Sequence, residues 1–357
     1  MTAGPIISGQ FPAVGVVAGH SVTLHYGNIA SEYSALEDGA MLIDRSLRGR
    51  TRLDGPKAAE MLTGLVTNDV LALSPGHGQY AAALSPKGRI IADVRIFSRA
   101  DHLLVDVPPR ARAGWDALVR KYINPRVVPY LDVSAEMRQL AIAGVAARSI
   151  LASAASLARE ALAPLATYSH LDAEIGGRPV MIARISDLEA EGYELFFPSD
   201  AFGTVWQRLV AGGATPGGLL AWEIARIENG RPEWGIDIDD TTIPQEANQD
   251  ELHAISYTKG CYTGQEVVAR IHFRGHVNRH LRGLLLGHNE PPPERANLLS
   301  LDGRQIGDVR SSALSPRLGA IALIMLRREI EMGSTIVVEG RSGTAQGQVV
   351  PLPFTRE

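Results

Sequence analysis

The stretch Thr258-Lys-Gly-Cys-Tyr-Thr-Gly-Gln-Glu-Val-Val-Ala-Arg270 concentrates residues that could do chemistry. Cys261 is the one cysteine of the chain. Thr263-Gly-Gln-Glu266 has the spacing of a capping box, with Thr263 as N-cap and Glu266 reaching back from the third helical position. The helix then continues through Val267 to Ile271 and carries Arg270. Cys261 would stand just outside its N-terminus. The positive end of the helix dipole and Lys259, two residues away, both favour a thiolate there. Gly260 and Gly264 leave room for a ligand or a second backbone beside Tyr262 and Gln265. The plainer alternative is a well-capped helix with a buried, inert cysteine, in which Glu266 is occupied by the cap and is a poor base.

A second stretch runs from Trp222 to Asp239. Arg226 and Glu228 precede a helix stop at Gly230, and Arg231, Trp234 and Asp237 follow it. Pro244-Gln-Glu-Ala-Asn248 comes shortly after. Such polar density around an aromatic suggests a ligand cleft; the alternative is a surface loop anchored by Trp234. His272, His276 and His280 have a spacing that would align three imidazoles on a helix. Gly275 interrupts that run and Leu281 to Leu286 read as strand, so no metal site is expected. The glycine-rich segment 212–218 lacks the Gly-Lys-Ser/Thr of a phosphate loop, and no Gly-x-Ser-x-Gly elbow occurs.

Composition narrows the classes further. Lys and Arg number 35 against 39 Asp and Glu, a net charge of −4 over 357 residues. Near balance gives no global pull toward nucleic acid or an anionic membrane, so neither is expected as a direct partner. A single cysteine excludes an intrachain disulfide, a zinc site of several thiolates and an all-cysteine cluster held by one chain. No apolar run approaches the ~18 residues of a membrane span, and the N-terminus lacks the pattern of a signal peptide. The expectation is a cytoplasmic protein.

The elements that must hold these residues alternate between strands and helices. The 36 glycines and 21 prolines favour a turn-rich α/β chain over a helical bundle. Strands are expected at 15–18, 22–26, 40–44, 51–53, 80–84, 90–97 and 102–107, and helices starting from an N-cap at Ser31, over 57–66, 110–122, 202–211 and 217–230. Arg52 to Leu62 aligns weakly with Ala141 to Leu151: each reads strand, glycine turn (Gly55, Gly144), helix. That suggests a duplicated module. Pro291-Pro292-Pro293 reads as a linker, and the short strands beyond it, separated by turns such as Asp302-Gly303 and Glu339-Gly340, suit a small antiparallel barrel.

The octet Lys259-Gly-Cys-Tyr-Thr-Gly-Gln-Glu266 closely resembles the motif of YgfZ-type folate-binding proteins, relatives of the aminomethyltransferase (T-protein) of the glycine cleavage system. Weaker resemblances follow in order along the chain: Glu32-Tyr33, Ala40 to Ser46, Val66-Thr-Asn-Asp-Val70, Ser85 to Asp93, Arg226 to Asp239, Pro244 to Glu246, Gly307 to Pro316 and Pro351 to Phe354. The true T-protein has paired aspartates where this chain has Ala92-Asp93, and a Gly-Glu whose glutamate falls on Ala190. By resemblance, those losses argue against aminomethyl transfer.

The resemblance implies an α+β fold of two related α/β modules, 1–136 and 137–280, which may interleave, plus a C-terminal antiparallel β-barrel, 281–357, around a central cleft. It implies tetrahydrofolate, or a one-carbon derivative, as the ligand. The implied function is tetrahydrofolate-dependent assistance in iron–sulfur cluster assembly or repair, with indirect effects on tRNA modification and with assembly or client proteins as partners. The alternatives are a folate-dependent aminomethyltransferase or demethylase, and an interaction protein with a vestigial cleft. A pterin edge pairs with a carboxylate, its rings need apolar walls, and a glutamate tail needs a cation. Asp93 or Glu194 could serve the first, Trp234, Tyr80 and Tyr193 the second, and Arg226 or Arg231 the third; Asn68 of the Thr-Asn-Asp element joins the candidate contacts.

Overall fold

A hairpin of β1 (Ala13–Val17) and β2 (His20–His25) precedes α1 (Ile29–Asp38) and β3 (Met41–Asp44) in the computed structural model, which describes residues 12–185, 187–340 and 343–355. The first module follows: β4 (Gly49–Asp54), α2 (Ala58–Thr63), β5 (Gly78–Leu84), β6 (Ile90–Ser98), β7 (His102–Val107), α3 (Arg112–Tyr122) and β8 (Tyr130–Asp132). The second is β9 (Met137–Ala143), α4 (Ala147–Ala154), α5 (Arg159–Leu162), β10 (His170–Ile175), β11 (Arg178–Arg184), β12 (Gly192–Pro198), α6 (Phe202–Ala211) and β13 (Thr215–Pro216). Helices α7 (Leu219–Glu228) and α8 (Gln265–Arg274) lead to the barrel strands β14 (Arg279–Leu286), β15 (Asn297–Leu299), β16 (Gln305–Ser315), β17 (Gly319–Arg327), β18 (Thr335–Gly340) and β19 (Gly343–Val350).

The weak internal repeat corresponds to a repeated topology. One sheet has the order β5-β6-β7-β4-β8; the other begins β10-β11-β12-β9 and adds β3 and β13. Thus β3 pairs with β9 although it precedes the whole first module in sequence. In both copies a positive-φ glycine (Gly55 at +93°, Gly144 at +133°) turns the strand into its helix. At Gly144 a Cβ would fall 2.5 Å from the Gly39 carbonyl oxygen, so no larger residue fits. Each sheet buries an apolar back under its own helices: Val94, Ile96 and Trp115 in one, Ile142, Leu195 and Phe197 in the other. Their inner faces meet through Phe97, Tyr80, Tyr168 and Phe196. A third core ties α1 and α7 to barrel strands through Trp222, Ile224 and Leu323.

Several boundaries differ from expectation. The N-cap of α1 is Asn28, whose side chain accepts from Ser31 N–H at 3.0 Å, so Ser31 lies inside the helix. Six antiparallel strands close the barrel, and β14 is one of them. The three prolines therefore form a loop within the barrel, with the Pro292 carbonyl accepting from the Ser312 hydroxyl at 2.6 Å. Among the described residues no helix is long and apolar enough to cross a membrane.

Candidate functional site

Strict alternation along β6 creates the site. Ala92, Val94 and Ile96 go into the apolar back, so Asp93 and Arg95 face inward beside Tyr80 of β5. Arg45 and Arg48, just after β3, approach from the second sheet, with Asp187 and Leu188 from the loop between β11 and β12. Trp222 and Arg226 of α7, then Arg231, Pro232 and Glu233 of the next loop, complete a cleft of about 410 Å³, counting space open to solvent.

Most of its charges are paired with one another. Arg95 donates to Glu194 at 2.6 Å, to Asp106 at 3.2 Å and to Asp187. Arg48 forks onto Asp106 at 2.8 and 2.9 Å. Arg231 donates to Asp187 at 2.7 Å and lies 5.2 Å from the Tyr80 ring centroid. Burial alone would raise the Asp187 carboxyl, but Arg231 and Arg95 outweigh it and hold it well below the usual carboxylate range. Arg226 donates to Glu223, Asp237, the Arg231 carbonyl and Ser311, pinning the loop after α7 to the helix and the barrel.

Two groups stand apart. Asp93 accepts from the Tyr80 hydroxyl at 2.8 Å through one oxygen, while Oδ1 is buried with no partner. Burial pushes its carboxyl up, against the pull of Tyr80 and Arg48. Among the described residues Glu233 has only Arg110, at 4.0 Å, as an ion-pair partner, and burial raises its carboxyl too. Its own carbonyl accepts from Asp237 N–H at 2.9 Å, which fixes its place on the loop.

The structure thus gathers Tyr80, Asp93, Arg226 and Arg231 from the predicted set, but not the rest. Glu194 lies behind the cleft, held by Arg95 and Gln139. Tyr193 is corrected as a wall: its register on β12 sends the ring into the opposite core, with its hydroxyl 2.6 Å from Glu191. Asn68 ties the Tyr80 and His253 carbonyls at 3.0 and 2.9 Å. Trp234 packs alongside Ile90. Arg226 lines the cleft with all three guanidinium nitrogens engaged, and Arg231 with its Nη2 held by Asp187. Sequence reading missed Arg45, Arg48, Arg95, Asp187, Trp222 and Glu233; the alternation Ala92-Asp-Val-Arg-Ile96 was a signal for Arg95.

The octet at 259–266 lies further along the same face of β5 and β6. Tyr262 packs with Ala82, Leu84 and Ile90. Lys259 donates to the carbonyls of Val66 at 2.7 Å, Asn68 at 2.9 Å and Thr63. Burial pushes its amine down to about 8, with Asp69 opposing. No capping box forms at Thr263. Helix α8 starts at Gln265 from Gly264, whose φ of +83° carries the chain past Leu84, Ser85 and Gly88. Gln265 and Glu266 begin the helix, Arg270 lies within it, and Gly260 and Cys261 are exposed. The three histidines fall on a helix, a loop and a strand; His272 stacks on Tyr257 at 3.6 Å.

Fold and cleft define a class: a duplicated α+β pair sealed by a barrel, with a charged pocket where the two sheets and α7 converge. Its first 255 residues match the GCVT N-terminal domain from residue 10, and residues 279–355 match the glycine cleavage T-protein C-terminal barrel domain. The chain belongs to the glycine cleavage T-protein family. It is 31% identical over 341 residues to an aminomethyltransferase of Thermosynechococcus vestitus (93% of this chain, 89% of the relative). It is 30% identical over 343 residues to that of Rubrobacter xylanophilus (95% and 89%) and 29% over 346 residues to that of Nostoc sp. (95% and 90%). The glycine cleavage system aminomethyltransferase T of Bartonella henselae superposes with a TM-score of 0.84 over 97% of this chain and 95% of its own, at 22% identity, a likeness of fold.

These relatives overturn the expectation of iron–sulfur assembly and tRNA-linked function: they are named aminomethyltransferases and align end to end with this chain. The argument from lost acids fails on geometry as well. Ala92 faces the apolar back, and Glu189 and Glu191 beside Ala190 pair with Arg317 and with Arg148 and Arg184. The carboxylates that line the cleft are Asp93, Asp187 and Glu233.

Proposed function

We propose that this chain is an aminomethyltransferase that uses tetrahydrofolate, the one-carbon acceptor of its family. The observation that carries the reading is the collinear match, over 95% of the chain, to relatives named aminomethyltransferase. Transfer moves a methylene carbon from the lipoyl sulfur onto two folate nitrogens: its C–S and C–NH2 bonds break, two C–N bonds form, and the two N–H protons leave on the lipoyl thiol and on ammonia. One group must take the N–H proton and one must supply a proton to the departing amine. Asp93 suits the first role: its free Oδ1 is buried in the cleft and its carboxyl is raised toward the working range. Tyr80 fixes its other oxygen. Glu233, also raised, suits the second. Trp222 and Tyr80 supply flat walls.

The octet 259–266 supports a finer kinship with YgfZ-type folate-binding proteins, as descent and not as activity. The test is turnover. Aminomethyl-lipoyl protein with tetrahydrofolate should yield methylenetetrahydrofolate, ammonia and dihydrolipoyl protein, and Asp93→Asn should abolish the product while keeping folate bound. A wild-type protein that binds tetrahydrofolate and forms no product overturns the reading.

A further inference from the structure

Of the five arginines lining the cleft, four each donate at least one hydrogen bond to a carboxylate of the chain. Arg45 is the exception. It is 7% exposed, and its Nε is buried with no hydrogen-bond partner. Among the described residues its closest carboxylate oxygen, on Glu194, is 3.9 Å away and is already held by Arg95 at 2.6 Å. The Arg45 guanidinium lies 4.5 Å over the Trp222 ring, which orients it without using its N–H groups. Burial pushes its pKa down against the pull of Glu194, as expected for a cation lacking a close counter-ion. A buried guanidinium whose one ion pair is this long and whose Nε has no hydrogen bond is costly unless an anion completes it, and its planar fork matches a carboxylate.

We propose that Arg45 is the carboxylate receptor of the cleft, the place taken in sequence reading by Arg226 or Arg231. This rests on the folate reading of the same cleft. The carboxylate belongs either to the glutamate tail of the folate or to a small amino acid that takes the place of aminomethyl-lipoyl protein as one-carbon donor. Trp222 holds the guanidinium plane, so the ligand meets a preset fork. Asp93 Oδ1, the unpartnered acceptor of the same cleft, takes an N–H of the ligand.

The experiment titrates wild-type protein and Arg45→Met with tetrahydrofolate, with 6-methyltetrahydropterin, which has no carboxylate, and with N-methylglycine. Arg45→Met keeps the stack on Trp222 and removes the charge; Arg45→Lys keeps the charge and loses the fork, and near-ultraviolet circular dichroism checks the fold of both. If the tail is bound, Arg45→Met weakens tetrahydrofolate about 10- to 100-fold and leaves methyltetrahydropterin unchanged. If the donor is bound, both pterins are unchanged and N-methylglycine is weakened to the same degree. Equal affinities of wild type and folded Arg45→Met for all three ligands overturn the assignment. Should Arg45→Met not fold, wild type decides: it must prefer tetrahydrofolate over methyltetrahydropterin at least tenfold or bind N-methylglycine, and the absence of both results overturns the assignment. A wild type that binds neither pterin refutes the folate reading alone, and the N-methylglycine arm then decides Arg45 by itself.

Discussion

In the cleft, Arg95 meets three carboxylates, from β7, β12 and the loop before it; in the octet, Lys259 meets three backbone carbonyls of the 63–68 segment. Both cations are buried and both hold separate parts of the chain together. Their partners differ in kind. Carboxylates can gain or lose a proton and can accept from a ligand, whereas carbonyls of a fixed loop can only be satisfied. The distinctive octet thus carries architecture, and the unremarkable residues around Arg95 carry the groups that can react.

Breaking the first hub should have the largest effect. Arg95→Met leaves Asp106, Asp187 and Glu194 short of a counter-charge in a buried setting, at a cost of about 3–5 kcal/mol. Denaturant unfolding should show that loss at pH 7. A loss below about 1 kcal/mol would mean that Arg48, Arg231 and Gln139 already balance the carboxylates.

Lys259→Met probes the other side of the comparison. It strands buried carbonyls at the end of α2 and in the turn after it, for about 2–3 kcal/mol. Tetrahydrofolate affinity per folded molecule should stay within about twofold at 25 °C, because the carbonyl cage is no part of the cleft lining. Loss of affinity without loss of stability would place Lys259 in the site.

How much of this was legible in the sequence follows from what each feature depends on. The duplicated module was legible because strand, glycine turn and helix are local, and Gly55 and Gly144 mark both copies. Asp93 was legible through its resemblance. The identity of the free arginine was not. Arg226 and Arg45 look equally available in a string of letters; Asp237, Glu223 and Ser311 occupy one, and among the described residues no carboxylate comes closer than 3.9 Å to the other. Thr263 misled because its capping pattern is a local preference, and close packing of Gly264 on the β5–β6 hairpin overrides it.

Asp93 offers a smaller effect with a pH signature. Its carboxyl is raised in the folded protein by burial, so the unfolded chain ionises first as pH rises. The associated stability is full below the unfolded value near pH 4 and declines as pH climbs through the folded value. Asp93→Asn stays neutral throughout. It should match wild type in stability at pH 4 and exceed it at pH 8. A mutant less stable than wild type at pH 8 would show that the ionised carboxylate, with Tyr80, Arg48 and Arg95, is a net stabiliser.

Cys261→Ser should have the smallest effect and separates the two regions most cleanly. The thiol is exposed, and the ammonium two residues away is turned into the carbonyls of Thr63, Val66 and Asn68. Helix α8 begins four residues further on from a left-handed glycine, with no side-chain cap between them. Replacing sulfur by oxygen at such a position should change stability by no more than about 0.5 kcal/mol. Under the proposed function, aminomethyl transfer should also proceed at the wild-type rate, because the proton roles proposed for Asp93 and Glu233 lie in the cleft and not in the octet. A folded Cys261→Ser protein that has lost turnover would return chemistry to the octet, and the division between an architectural segment and a reactive cleft would fall.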